Sequence, residues 1–145
     1  MTGLETQHSL ESAKAADPFR VALVWSNGQE AVIDLAPALE SEQYAPLRER
    51  DVFRSVRIGT WGHSLVWPGE IEIGADSLWL DCLSAWGQED TRAFLEWRLR
   101  NGFSASRASE ALGISRSSVV KYSTGTTVPR RILLACKGWD ALQAA

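Results

Sequence analysis

Few side chains in this 145-residue chain could carry covalent or acid–base chemistry, and they do not converge. His8 lies near the start and His63 in a predicted turn, so neither has a positioned partner of the kind a general base or nucleophile needs. Cys82 and Cys136 fall at apolar helical positions and read as packing thiols. They form no C-x-x-C pair and no metal-ligand spacing. Gly59 and Gly62 do not lead into the Lys-Ser/Thr of a phosphate-binding loop. Asp34, Glu70 and Glu72 are scattered, the last two on one face of an alternating stretch. The expectation is no enzyme, no cofactor and no metal.

The residues that could act together lie in 104–125, SASRASEALGISRSSVVKYSTG. Ser104 can cap a helix ending at Leu112, and Gly113 supplies a tight turn where positive φ is cheap. Ile114 fills the angle between two helices. Ser115 caps the next helix, Val119 and Tyr122 point inward three residues apart, and Gly125 stops it. Two short helices joined by a glycine-containing turn make a helix-turn-helix. The charge layout agrees. The net −3 divides into 6 basic and 13 acidic side chains over residues 1–87, and 9 basic and 5 acidic over 88–145. A basic second half points to a nucleic-acid-facing module.

EALGISRSSVVKYSTG resembles the core of lambda-repressor-like helix-turn-helix domains of Cro or XRE type. EWRLRNGFSASRAS resembles their first helix and the start of the second, and VPRRILLACKGWDAL the helix that closes the bundle. The likeness implies major-groove reading by the helix at 115–124. On that likeness, Arg116 would pair with a guanine, Ser117 with a base or phosphate, Val120 with a thymine methyl and Lys121 with a phosphate. Ser104 and Ser106 would open a phosphate-binding helix N-terminus, with Arg107 and Thr124 as secondary phosphate contacts. Ala105, Ser123 and Thr124 depart from the glutamine, acidic residue and asparagine frequent in such domains.

Several elements must position that segment. QEDTRAFLEWRLRNG predicts a helix with Phe94, Leu95, Trp97 and Leu99 available for burial. Glu89 and Asp90 at its start and Arg98 and Arg100 near its end complement the helix dipole, and Gly102 stops it. Upstream, Phe19, Val21, Leu23 and Trp25 alternate along a strand, and Asn27-Gly28 predicts a two-residue type I′ hairpin loop within 20–34. Residues 38–50 predict a short surface helix or turn, residues 54–58, 64–67 and 70–73 predict strands, and Asp76 is a candidate cap for a helix carrying Leu78, Trp79, Cys82 and Leu83. Trp25, Trp61, Trp67 and Trp79 are candidate core, since a small domain needs large side chains to bury enough surface.

VALVWSNGQEAVIDL, YAPLRERDVFRSVRIG and SLVWPGEIEIGADSL are together similar to a bacterial β-rich domain family of unknown function. Trp25-Ser26-Asn27-Gly28, Asp34-Leu35 and Trp67-Pro68 stand at its motif positions, over about residues 18–80. Some of its members join a helix-turn-helix in the same order, and others have the gene setting of toxin–antitoxin pairs.

The expected fold is α+β: a flexible leader at 1–17, a small antiparallel β-rich domain at 18–86, and an all-α lambda-repressor-like helix-turn-helix bundle at 87–145. The expected function is transcriptional regulation by a cytoplasmic homodimer on double-stranded DNA, with a protein partner on the β-rich domain. The alternative is an antitoxin-like interaction module whose helix-turn-helix is mainly structural. No apolar run approaches the ~18 residues a membrane helix needs, and the first sixteen residues lack the basic and apolar regions of a secretory signal.

Overall fold

The computed structural model describes residues 8–144, which belong to two compact units divided between Trp86 and Gly87. In the first, strands β1 (Leu10–Ala16), β2 (Arg20–Trp25) and β3 (Glu30–Asp34) form one antiparallel sheet in that order. Two 3-10 segments, Ala38–Glu40 and Glu42–Arg48, and helix α1 (Arg50–Arg54) follow. A second antiparallel sheet holds β4 (Arg57–Ile58), β5 (Ser64–Trp67) and β6 (Ile71–Gly74), and helix α2 (Ala75–Ala85) completes the unit.

This overturns the expected division into a clean β-rich domain and an all-α lambda-repressor-like bundle. The strands are spread from residue 10 to residue 74 in two separate sheets, with helical segments between and after them. The reason is surface. A three-stranded sheet needs another element to cover its apolar face. Here α2 packs against β3 and β6, burying Leu78, Trp79, Cys82 and Leu83. Its N-cap is Gly74; Asp76 lies one residue inside the first turn.

The expected leader at 1–17 does not hold over residues 10–16. Residues 1–7 lie outside the described residues, and residues 10–16 form β1, paired with β2 from Leu10↔Trp25 to Ala16↔Arg20. Only Leu10 of this strand is buried. An edge strand held by backbone pairing leaves no apolar alternation for a sequence reading to find.

The hairpin forms, but not with the expected loop. The Gly28 N–H donates to the Trp25 carbonyl at 2.8 Å and the Trp25 N–H to the Gln29 carbonyl at 2.9 Å. Gly28 is at φ 90° and Asn27 is not left-handed, so the loop is three residues with a glycine bulge rather than type I′. Register explains the difference. The observed pairing sets Val21 opposite Ile33, both buried. A two-residue loop would set Asp34 there and turn the exposed Val32 inward.

Trp25, Trp67 and Trp79 are buried as expected, but Trp61 is 82% exposed. The Trp25 indole N–H donates to Cys82 Sγ at 3.3 Å, and that of Trp67 to the Phe53 carbonyl at 3.0 Å. Burial pushes the Cys82 thiol up to about 11 and the Cys136 thiol to about 12. The neutral, unreactive form therefore dominates at pH 8. Native protein is expected to leave both thiols untouched by an aromatic disulfide reagent over minutes, while denaturant releases both. Equal rates in the two states would contradict this burial.

The second unit contains α3 (Glu89–Asn101), α4 (Ala105–Leu112), α5 (Arg116–Ser123) and α6 (Arg130–Ala144). Phe94, Trp97, Ala105, Ala108, Val119, Val128, Ile132 and Cys136 form its core. Ala105 and Ala108 are the small residues that let α4 lie close to its neighbours. Gly102 at φ 65° ends α3, and the Phe103 N–H returns to the Arg98 carbonyl at 2.9 Å.

Candidate nucleic-acid interface

Local capping fixes α4 and α5. The Ser104 hydroxyl accepts the Arg107 N–H at 3.0 Å, and the Ser115 hydroxyl accepts the Ser118 N–H at 3.0 Å. Gly113, at φ 68°, closes α4 with its N–H on the Ser109 carbonyl. Three residues thus separate the helices, and Ile114 packs against the core from within that turn. Val119 is fully buried, and Tyr122 packs edge-on to Phe94 with ring centroids 5.9 Å apart. Thr124 is the C-cap of α5, and Gly125 follows at φ 119°.

At about 100° per residue, Arg116, Val120, Thr124, Ser117 and Lys121 fall in one arc of about 140° on α5, with Tyr122 and Val119 on the far side. Arg116, Ser117, Lys121 and Thr124 are exposed. Val120 is half-buried against the core, so only part of it faces outward. The Thr124 hydroxyl donates back to the Val120 carbonyl at 2.8 Å, which occupies its proton. Ser104 and Ser106 are exposed at the start of α4. Arg107 is held differently from its neighbours. Its guanidinium lies over the Phe103 and Trp139 rings, at 5.3 and 5.6 Å, and 3.5 Å from the Glu110 carboxylate.

Three residues have positioning contacts that the sequence reading did not assign; Asp90 and Arg98 were read there only for their place along the helix dipole. Arg98 is 1% exposed. Its guanidinium donates to the Ser123 hydroxyl at 2.9 Å and to the Phe103 carbonyl at 3.3 Å, tying the last turn of α5 to the residue before the α4 cap. Asp90 accepts the Val128 N–H at 2.7 Å, anchoring the segment before α6 to the first turn of α3. Asp140 accepts from Arg100 at 2.8 Å and Asn101 at 3.3 Å, joining α6 to the end of α3. The Arg100 hydrogen bond holds the Asp140 carboxyl below its usual range. That contribution is present above the ordinary carboxylate pKa and is lost as pH falls through the lowered one. Nothing local marked Arg98: a cation near a helix end reads as solvent-facing until the fold sets Ser123 against it.

Among the described residues, no group of three or more His, Cys, Asp or Glu side chains could hold a metal ion, and no helix is long and apolar enough to cross a membrane.

The chain therefore combines a two-sheet α+β unit with a four-helix unit that presents a capped helix pair. Residues 10–83 match the family described as "protein of unknown function (DUF2442)", and the chain belongs to that family. This bears out the resemblance read over about 18–80 and extends it to include β1. A crystal structure from Nitrosomonas europaea ATCC 19718, named "putative DNA binding protein NE0471", is similar at 31% identity and a TM-score of 0.71. That likeness covers 97% of this chain and 92% of the other. No curated protein matches the chain.

Proposed function

We propose that the chain binds double-stranded DNA as a homodimer and regulates transcription, with α5 in the major groove. The observation that carries this reading is the outer arc of α5, which sets Arg116 and Ser117 at the N-terminal end of a helix capped by Ser115 behind the Gly113 turn. The N-terminal residues of a recognition helix meet base edges. Arg116 then reads a guanine and Ser117 a base or phosphate, while Lys121 meets the backbone. Ser104 and Ser106 face phosphate at the start of α4. Val120 and Thr124 have smaller parts, because one packs on the core and the other's hydroxyl bonds within its helix. The name carried by the Nitrosomonas protein supports the same reading.

The test is anisotropy of labelled genomic duplexes at about 50 and 200 mM salt, where phosphate-driven binding changes steeply. Arg116→Ala is expected to cost about 1–3 kcal/mol on the preferred fragment and to relax sequence preference. Lys121→Ala weakens all fragments alike and lowers the salt slope by about 1. Absence of duplex binding at low salt overturns the proposal.

A further inference from the structure

The second sheet of the first unit has one buried and one open face. Leu65, Trp67 and Ile73 point into the core. On the other side Arg57, Val66 and Glu72 stand in register across β4, β5 and β6. Gly59 and Gly74 add no side chains to this face, which borders a hollow of about 770 Å³ that Trp61 and His63 also line. The buried Ser64 hydroxyl lies 3.0 Å from a Glu72 carboxylate oxygen and orients it.

Trp61 is the odd member. It is 82% exposed although six other tryptophans compete for little core, and it occupies the left-handed region at φ 56°. That conformation costs a bulky residue about 1–2 kcal/mol. The backbone beside it cannot relax inward. A Cβ on Gly62, at φ 72°, would collide with the Leu10 carbonyl oxygen, so the turn is pressed onto β1. The fold thus holds an indole outward at the edge of a hollow, against a local conformational cost. Strain of this kind clusters at ligand clamps.

We propose that this face binds an arginine-bearing extended segment of a partner polypeptide. An indole face is the best aromatic partner for a cation, and the Glu72 carboxylate supplies the counter-charge. Arg57, at the other end of the row, donates to backbone carbonyls of the same segment. The balance of 6 basic to 13 acidic side chains over residues 1–87 attracts a basic partner and repels nucleic acid. The site is independent of the DNA reading, which concerns the other unit.

The experiment titrates the full-length chain with a labelled Gly/Ser octapeptide carrying two central arginines. The same peptide with two glutamates serves as control, and anisotropy and the Trp61 indole N–H resonance are both followed. The arginine peptide is expected to shift that resonance. Trp61→Ala and Glu72→Gln should each weaken binding by about tenfold, the weight of a partly desolvated cation–π or charged contact, while Glu30→Gln leaves it unchanged. Equal weakening by Glu30→Gln, undiminished binding by Trp61→Ala, preference for the glutamate peptide, or stronger capture of a single-stranded oligonucleotide each overturn the proposal. So does the absence of any shift at Trp61.

Discussion

Arg98→Ala is expected to cost about 3–5 kcal/mol of stability and, with it, the arrangement of α4 and α5. Arg98 is a buried charge that donates to Ser123 Oγ and to the Phe103 carbonyl. Hydrogen bonds to a charged group are worth about 1.5–3 kcal/mol each. Removing the guanidinium leaves those acceptors without its donors and opens a cavity. Ser123→Ala deletes only one of the bonds and should cost about 1 kcal/mol. Arg98→Lys keeps the charge but not the planar fork that reaches two acceptors, so it should recover less than half of the loss. Urea unfolding measures all three. On the proposed reading, duplex binding should fail in Arg98→Ala at temperatures where the parent stays folded, although Arg98 is buried. An Arg98→Ala chain within 1 kcal/mol of the parent would remove the clamp from the account.

What the sequence made legible was mostly local. Ser104, Gly113 and Ser115 have short-range chemistry that dictates a cap or a turn, and the structure places them so. Gly102 likewise ends α3. What stayed hidden depended on distant partners. Asn27-Gly28 carries a strong preference for a two-residue loop, yet burial of Ile33 opposite Val21 set the register and took Ser26 into the loop. β1 has Leu10 as its only buried residue, no apolar alternation along its length, and is defined by its neighbour. Trp61 and Trp67 each lie within two residues of a glycine, yet one faces solvent and the other is buried, and only the fold shows Gly62 pressed against Leu10 beside the exposed one. Arg98 and Arg100 look alike at a helix end, but one is buried behind Ser123 and the other pairs with Asp140 at the surface. Val120 was expected to face outward from α5, and it lies half-buried against the core instead.

In the first unit, Trp25→Ala should be the comparably severe change, at about 3–5 kcal/mol. Trp25 is fully buried, pairs with Leu10 across the sheet, and meets Trp79 edge-on with ring centroids 5.0 Å apart. Its N–H reaches Cys82 on α2, so one side chain joins β1, β2 and the covering helix. A small domain has about 5–15 kcal/mol of stability in total, so this loss is a large share of it. Trp25→Phe retains most of the ring volume and gives up a weak N–H···S bond; about 1–2 kcal/mol is expected. Trp61→Ala, by contrast, should lie within about 0.5 kcal/mol of the parent, because an exposed indole leaves no cavity and its replacement relieves little. The two tryptophan-to-alanine variants share one chemistry and differ in burial, and the two Trp25 variants share one site and differ in the side chain left behind, so their urea midpoints separate packing from side-chain type. A Trp61→Ala loss approaching that of Trp25→Ala would mean that Trp61 is covered in solution, and the hollow beside it closed. A small Trp61 loss with a large Trp25 loss leaves the outward indole free for a partner and assigns the stability of this unit to the contact between β2 and α2.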